Sequence, residues 1–382
     1  MSFNKISFLF FLFLIYVNCQ EGPPCVDGEG KKGVCVSFHK CLGVPQLLQR
    51  GKRPQICSFE GQTPVVCCSD CYTVNDTSNV LVDRYSGYYF KTGQKSYDQC
   101  LQYMITLPYQ CGLDNGLKRL WYEDEQCHNY STVPVYATFG GEDARRAEYP
   151  HMTLLGYGDD LNAVDWVCGG SVISDKFILT AGHCIQSSAL GPVTYVAVGI
   201  LKRSDSPELW QRYRVSRIIP HPEYKAPSKY HDIALLETEQ RIRFSREVLP
   251  ACLNIGDAFD LSAWATGWGA LGHRQQLADN LQTVYLQKFE EFDCLANYPP
   301  HRHLLNGYDH EKQMCYGDKE NPKDTCEGDS GGPLQVSSTL SSCIYVILGV
   351  TSFGRACGFA GGSGMYTRVS YYLPWIESVV WP

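Results

Sequence analysis

The sequence lacks the features that would place it in several common classes of protein. It contains no run of basic side chains, and its formal net charge is −7. Because nucleic-acid binding requires clustered lysine and arginine, we expect no nucleic-acid partner. Beyond the N-terminal segment no apolar stretch is long enough to cross a bilayer, so we expect no membrane span. The sequence also carries no cofactor or metal motif, and we expect neither a cofactor nor a bound metal.

Cysteine, by contrast, is abundant: the 382 residues include 19 cysteines, which indicates an oxidising compartment. At the N-terminus Lys5 precedes an apolar run, Phe8 to Ile15, and Val17-Asn18-Cys19 follows it. This arrangement is typical of a secretory signal peptide. Cleavage after Cys19 would leave eighteen of the 19 cysteines, an even number that disulfide pairing favours. We therefore predict a signal peptide over residues 1–19 and a secreted, extracellular protein.

One segment, Asp324 to Pro333, has the surroundings of a nucleophile. Ser330 stands among small residues, which let the backbone approach a substrate carbonyl closely. The N–H groups of Gly328 and Ser330 are then placed to form an oxyanion hole, which binds the oxygen that becomes negative during acyl transfer. A serine hydroxyl also needs a base that is oriented by a third group.

Two further motifs supply these partners. His183 lies in the segment Thr180-Ala181-Gly182-His183-Cys184, and Asp232 precedes an apolar run that begins at Ile233. Taken singly, the three motifs have ordinary interpretations as a turn, a hydrogen-bonding histidine and a strand end. Taken together, the order His183, Asp232, Ser330 is the order of the chymotrypsin triad, in which the carboxylate holds the base in its useful tautomer.

On these motifs and on Trp264 to Gly269, residues 138–382 resemble the trypsin-like, chymotrypsin-fold serine proteases. The resemblance implies an all-β fold of two six-stranded antiparallel β-barrels with a C-terminal helix. The sequence itself predicts strands near residues 168–173, 177–180, 195–199 and 214–219. It also predicts the helix over Tyr371–Trp381, with Pro374 in the first turn. His221, which lies between two prolines, is interpreted as structural.

The same resemblance implies a substrate specificity. Asp324 lies six residues before Ser330, where trypsin-like enzymes place the carboxylate at the base of the specificity pocket. A buried carboxylate there favours substrates with Arg or Lys. Ser352 begins a segment that matches the strand that pairs with the substrate backbone, and Gly354 and Gly364 match the small residues of the pocket walls.

A small module precedes the catalytic domain. Six cysteines fall between residues 25 and 68, a segment too short to bury an adequate core, so disulfides must stabilise it. Six cysteines allow fifteen pairings, and the residues alone do not choose among them. The adjacent cysteines that close the segment resemble those of the clip domain of arthropod serine proteases. That resemblance implies a docking or regulatory module with the pairs Cys25–Cys67, Cys35–Cys57 and Cys41–Cys68.

Residues 69–137 form a polar, tyrosine-rich linker with no sustained periodicity, and Asn75 and Asn129 begin glycosylation sequons. The linker resembles that of the snake-type clip proteases, in which a disulfide joins the linker to the catalytic domain. This resemblance implies the pair Cys127–Cys252.

The resemblance implies three more disulfides within the catalytic domain: Cys168–Cys184, Cys294–Cys315 and Cys326–Cys357. Four cysteines remain, with three pairings open: Cys71, Cys100, Cys111 and Cys343. We favour a bond from Cys343 back to the linker at Cys100.

The activation point also follows from the resemblance. The family's mature protease begins two residues before a Gly-Gly pair, here at Thr138, so the cut falls between Ala137 and Thr138. The freed amine is implied to pair with Asp329, which orders the oxyanion hole and the specificity pocket. Both junction residues depart from the family, which usually has Arg or Lys before the cut and Ile or Val after it.

The sequence therefore indicates a secreted zymogen of a serine endopeptidase. The resemblance implies that it activates another protease zymogen in an extracellular cascade of immunity or development. The expected partners are this protein substrate, an upstream activating protease and a serpin-type inhibitor. The departures at Ala137 and Thr138 leave one alternative, a protease-shaped adaptor with weak catalysis that acts by binding.

Overall fold

The computed structural model describes residues 23–28, 30, 32–37, 53–60, 63–68, 93–106, 141–256, 261–272, 275–321, 328–338, 344–354 and 362–382. These residues belong to two compact units, one within 23–68 and one within 93–382. Several predicted features lie outside the described residues: the signal peptide, Asn75, Asn129, Ala137, Thr138, Asp324, Cys41, Cys71, Cys111, Cys127, Cys326, Cys343 and Cys357.

The first unit is a small antiparallel sheet that is cross-linked by disulfides. Its strands are β1 (Pro24–Val26), β2 (Lys32–Ser37), β3 (Ile56–Glu60) and β4 (Thr63–Cys68), in the spatial order β1-β2-β4-β3. Disulfides join Cys25 to Cys67 and Cys35 to Cys57, as the clip resemblance implies. Among its described side chains the Phe59 ring is 62% exposed. The disulfides, rather than a large core, hold this sheet together.

The second unit contains two closed β-barrels, and the first is built from the earlier strands. Its sheet contains β6 (Met152–Tyr157), β7 (Asp165–Val172), β8 (Phe177–Thr180), β9 (Gln186–Ser187), β10 (Gly191–Val198), β11 (Gln211–Pro220) and β12 (Ala234–Thr238), whereas the preceding short strand β5 (Glu142–Asp143) belongs to the second sheet. Pairing in the order β10-β11-β12-β8-β7-β6 and back to β10 closes a ring of six antiparallel strands. The four strand segments predicted from the sequence coincide with β7, β8, β10 and β11.

The second barrel follows the same plan. Its strands are β13 (Cys252–Leu253), β14 (Ser262–Gly267), β15 (Gln282–Lys288), β16 (Gln313–Gly317), β17 (Pro333–Ser337), β18 (Tyr345–Gly354) and β19 (Ser363–Arg368). The ring β18-β17-β14-β15-β16-β19 closes on itself, while β13 pairs in parallel with β18 and β5 pairs with β15. The predicted all-β fold of two six-stranded barrels is confirmed.

Apolar side chains fill the interior of each barrel. Leu155, Ile178 and Leu235 are fully buried in the first barrel, and Leu334 and Tyr366 are fully buried in the second. Inward-facing side chains alternate with outward-facing ones along each strand, so short apolar strands fill both interiors. Closure also leaves few open strand edges, and the connecting loops gather at the barrel ends.

Within the residues that the structure describes, three α-helices accompany the barrels: α1 (Lys95–Thr106), α2 (Glu291–Asn297) and α3 (Val369–Val380). Helix α3 is the predicted C-terminal helix, but it begins earlier than expected, so Pro374 lies inside the helix rather than in its first turn. The earlier start has a tertiary cause, because Val369 is fully buried in the core cluster of the first barrel. Within the described residues no helix combines the length and the apolar character needed to cross a bilayer.

Helix α1 lies in the linker, where the sequence analysis found no periodicity. It docks on α3 through Glu377, whose Oε1 accepts hydrogen bonds from Gln94 Nε2 at 2.6 Å and from Ser96 N at 2.8 Å. Lys95 Nζ donates to the carbonyl oxygen of Trp381 at 2.7 Å. A carboxylate at a helix N-terminus satisfies N–H groups that have no partner within the helix.

This docking corrects the predicted tether. It brings Cys100 of α1 beside Cys252 of β13, with their Cα atoms 5.2 Å apart, and the two form a disulfide. The predicted pair Cys127–Cys252 is therefore wrong, and so is the favoured pair Cys100–Cys343. The sequence signal was weak: among the side chains of α1 that the structure describes, the buried ones are Ser96 and Cys100, four residues apart. The disulfides Cys168–Cys184 and Cys294–Cys315 are present as the resemblance implies.

Candidate active site

The predicted base and carboxylate meet at one end of the first barrel. His183 lies in a 3-10 helix, Gly182–Ile185, directly after β8, and Asp232 lies just before β12. Because β8 and β12 are paired neighbours, the two residues come side by side. His183 Nδ1 donates to Asp232 Oδ2 at 2.8 Å, and His183 N donates to Asp232 Oδ1 at 2.8 Å. With its proton on Nδ1, the neutral ring keeps Nε2 as the basic nitrogen.

The Asp232 carboxylate is fully buried. Burial acts to raise its pKa, but the charge of His183 and hydrogen bonds from His183 and Ser352 outweigh burial and hold the pKa below its usual value. Ser352 Oγ donates to Asp232 Oδ2, and Thr367 Oγ1 donates to the backbone oxygen of Asp232 at 2.9 Å. Asp232 is therefore a fixed anion that can stabilise a protonated imidazole.

Ser330 lies on a tight turn that leads into β17, and both barrels hold this turn. Its backbone oxygen accepts a hydrogen bond from Gly169 N of β7 at 2.8 Å, and Gly331 N donates to Thr351 O of β18 at 2.8 Å. Gly331 has a φ of +79° and packs so closely on Thr180, at the end of β8, that no side chain fits there. The turn thus places Ser330 at the barrel end that carries His183.

The same turn offers two backbone donors. Within the described part of the chain, the N–H groups of Gly328 and Ser330 donate to no acceptor. Gly328 has a φ of +100°, and a Cβ there would lie 2.8 Å from Leu277 Cδ2. A residue other than glycine would strain this turn. Two N–H donors on one rigid turn can stabilise an oxyanion by hydrogen bonds.

Asp329, between these two donors, is half-buried in the second barrel. Its Oδ1 accepts a hydrogen bond from Gly269 N at 2.8 Å. The carboxylate lies directly against Gly267 and Gly269, two glycines of the Trp264 to Gly269 segment that contributes to the family resemblance. In the described structure the Asp329 side chain therefore packs against this segment.

Comparisons with known proteins agree with this geometry. The sequence profile of the Trypsin family matches residues 138–376. The chain belongs to the trypsin family of serine proteases. It is similar to Serine protease snk of Drosophila melanogaster, with 31% identity over 367 residues that cover 94% of this chain and 79% of the relative.

Two further relatives narrow the family. Phenoloxidase-activating factor 3 of Holotrichia diomphalia is 29% identical over 393 residues, which cover 96% of each chain. CLIP domain-containing serine protease C9 of Anopheles gambiae is 34% identical over 255 residues, which cover 63% of this chain and 67% of the relative. Among trypsin-family proteins, the chain is one of the arthropod clip-domain serine proteases.

Two of the predicted wall residues of the specificity pocket are neighbours across a pair of strands. Gly354 of β18 and Gly364 of β19 are paired directly across the two strands. Gly364 is also paired with Tyr316 of β16. Ser352 lies on the predicted strand, but its hydroxyl bonds to Asp232 rather than lining the pocket. Its side chain therefore positions the carboxylate, a role that the sequence analysis missed.

Two other residues support the site without a signal in the sequence. Tyr224 packs against Gly182, the residue before His183. Burial and the nearby charge of Asp232 raise the pKa of Tyr224 well above its usual value, so the phenol stays neutral. Thr367, which fixes the backbone of Asp232, comes from β19 of the other barrel. Both contacts join residues that are distant along the chain, so no local pattern announces them.

Proposed function

We propose that this serine protease is an endopeptidase that cleaves after Arg or Lys. His183 Nε2 takes the proton of Ser330 Oγ, which attacks the substrate carbonyl, and Asp232 stabilises the imidazolium that forms. The N–H groups of Gly328 and Ser330 bind the oxyanion, the His183 imidazolium gives its proton to the leaving amine as the peptide bond breaks, and water then hydrolyses the acyl-enzyme. The observation that carries this proposal is the hydrogen-bonded pair of His183 with the buried Asp232, at the barrel end that holds the Ser330 turn.

The specificity is proposed from the pocket residues. The small pair Gly354 and Gly364 leaves room for a long side chain, and Asp324 supplies a carboxylate for its cation. A guanidinium or ammonium group then replaces the water that the carboxylate loses on burial.

The domain organisation supports control by proteolysis. We assign residues 1–19 to a signal peptide, 25–68 to a clip domain, 69–137 to the linker and 138–382 to the catalytic domain of a secreted zymogen. Cleavage between Ala137 and Thr138 frees an amine that pairs with Asp329 and orders the oxyanion hole. Because Cys100 precedes this cut and Cys252 follows it, their disulfide keeps the two chains joined.

The proposed substrate is another protease zymogen in an extracellular cascade. Support comes from the similarity to Phenoloxidase-activating factor 3 along nearly the whole chain, clip module included. A cascade position also implies an upstream activating protease and a serpin-type inhibitor as partners. Digestion of bulk protein does not require a clip module.

Hydrolysis of small peptide amides by the cut protein tests the proposal. The full-length zymogen is cut, the new N-terminus is sequenced, and arginyl, lysyl and phenylalanyl amides are compared. We expect a heavy chain that begins at Thr138 and a kcat/KM for the arginyl substrate at least about a hundredfold above that for the phenylalanyl one, because only a cation pairs with the pocket carboxylate.

The matched control is Ser330→Ala, which removes the nucleophile and keeps the fold. Its activity should fall by roughly a millionfold, to background. Turnover that persists in Ser330→Ala, or no turnover in the correctly cut wild type, would overturn the proposal. The second result would favour the adaptor alternative.

A further inference from the structure

Three side chains outside the predicted triad lie close enough together to act as ligands of one metal ion. His221 follows β11, Glu223 lies two residues later, and His231 immediately precedes Asp232. One ligand atom from each residue lies within 4.8 Å of the other two. The backbone holds this arrangement, because His221 N donates to Ile233 O at 3.1 Å.

One pair of ligand atoms lies near the spacing found in a coordination sphere. His231 Nδ1 and Glu223 Oε2 are 3.6 Å apart, and the rings of His221 and His231 lie nearly parallel with centroids 5.1 Å apart. Two ligands of a tetrahedral zinc ion lie roughly 3.4 Å from each other. The Glu223 side chain is 67% exposed, so it can make the remaining shift and leaves a coordination position open to water.

The chemistry of the set also fits. Two imidazoles and one carboxylate are a common ligand set for zinc, and imidazole suits copper and nickel as well. His221 is buried and the His231 side chain is 16% exposed, so both rings are shielded from bulk water.

The present contacts of the three residues are weak competitors. Tyr372 Oη lies 3.2 Å from His231 Nδ1, and Glu223 N donates to His221 Nδ1 at 3.3 Å. Both distances are long for hydrogen bonds, so a metal ion can replace them. Packing of His221 against Tyr372 and Trp375 explains why its ring is buried. It does not explain why a carboxylate faces the two rings.

We propose that His221, Glu223 and His231 bind a divalent transition-metal ion of the zinc class, contrary to the sequence expectation of no metal. His231 has a φ of +54° and is joined to Asp232 by a peptide bond. A metal ion that shifts the His231 ring therefore also shifts the backbone of Asp232, which carries the proposed carboxylate of the triad. Metal binding therefore lowers kcat with little change in KM. This regulatory part rests on the proposed function, whereas the binding site itself does not.

Binding is tested on the full-length chain with Ser330→Ala, which excludes self-cleavage. Zn²⁺ is titrated by calorimetry, and Co²⁺ absorption reports the coordination. In that background, Glu223→Gln and His231→Asn should each weaken Zn²⁺ at least about tenfold. Glu223 is exposed and Asn tolerates a positive φ, so both variants keep the fold, which circular dichroism checks.

A matched control comes from a second histidine pair, His301 and His303, whose ring centroids are 6.2 Å apart. His303→Gln should leave Zn²⁺ affinity unchanged. Three outcomes would each overturn the proposed site. They are absence of binding, binding that survives Glu223→Gln and His231→Asn, and binding that is lost with His303→Gln or His183→Gln.

The regulatory part has its own measurement. Zn²⁺ at saturating concentration should lower kcat of the cut wild type several-fold, chelation should restore it, and Glu223→Gln should remove the effect at the same Zn²⁺ concentration. A bound ion without any change in kcat would overturn the regulation. If the protein proved to hydrolyse no substrate at all, the calorimetric titration would still decide whether the site exists.

Discussion

The two barrels each hold a carboxylate beside the proposed catalytic groups, and they hold it differently. Asp232 of the first barrel is fully buried, and His183 and Ser352 donate to it in the uncut chain. Asp329 of the second barrel is half-buried and accepts a hydrogen bond from Gly269 N. In the proposed mechanism the first carboxylate orients the base, and the second one lies within the turn that is proposed to bind the oxyanion.

This difference indicates which part of the proposed active site is controlled by proteolysis. The His183–Asp232 pair is complete in the uncut chain, since the buried anion already has its hydrogen bonds. The proposed partner of Asp329 is an amine that exists only after cleavage. In this scheme the base is built by folding, and the oxyanion hole is completed by proteolysis.

The largest expected effect comes from Asp232→Asn. The amide cannot hold His183 in the tautomer that keeps Nε2 basic, so kcat/KM should fall about ten-thousandfold. Steady-state hydrolysis of an arginyl amide by the cut protein measures it. Asp159→Asn, a change at an exposed aspartate, should leave kcat/KM unchanged. A loss below tenfold in Asp232→Asn would show that this pair does not orient the base.

Asp329→Asn should have the next largest effect. Losing the carboxylate removes the ion-pair partner of the Thr138 amine, which costs on the order of 3–5 kcal/mol, so kcat should fall at least about a hundredfold. The sharper comparison is with the uncut chain, whose low residual activity should not fall further. Equal losses in cut and uncut protein would refute a role confined to activation.

The double variant Cys100→Ser, Cys252→Ser removes the tether. We expect the cut protein to release its light chain on a non-reducing gel, and the free energy of unfolding of the uncut chain to fall by about 2–4 kcal/mol. The control Cys25→Ser, Cys67→Ser removes a disulfide within the clip module and should release nothing. Chains that stay joined in the tether variant would show that another disulfide links them.

The smallest effect concerns pH and the contact between the barrels at His151. Burial lowers the pKa of this fully buried histidine from 6.5 to about 4, although its hydrogen bond to Gln335 acts in the opposite direction. Below pH 6.5 the unfolded chain therefore binds more protons than the folded one. Stability is full above pH 6.5 and falls as the pH drops towards 4, by about 2 kcal/mol at pH 5.

Urea unfolding at pH 7.5 and pH 5 measures this term. His151→Gln lacks the titrating ring and should lose about 2 kcal/mol less than wild type between the two pH values. The subtraction matters because His221 and His231 also have lowered pKa values. An equal pH dependence in both proteins would contradict the assignment to His151.

The sequence was a good guide wherever chemistry depends on a local motif. The segments around His183, Asp232 and Ser330 indicated the candidate active site, because a base next to a strand end and a serine among glycines are recognisable over a few residues. The sequence was a poor guide where partners come from distant segments. Ser352 and Thr367 reach Asp232 across the two barrels, and no pattern near either residue indicates that contact.

The linker shows the same limit. The sequence suggested a tether to Cys252 but named Cys127, because resemblance supplied the kind of bond and not its partner. The choice of Cys100 depends on helix α1, whose N-terminus is held by Glu377 almost three hundred positions later in the chain. Tertiary packing, not local propensity, stabilises so short a helix.

The amino-acid sequence by itself determined the fold class, the family and the order of the proposed triad, since apolar strand patterns and short motifs are local properties of the chain. Only the tertiary structure decided which groups hold Asp232, which cysteine joins the linker to the catalytic domain, and that His221, Glu223 and His231 meet. The reason is physical: burial, hydrogen-bond partners and ligand distances exist only after strands far apart in the chain have closed into barrels.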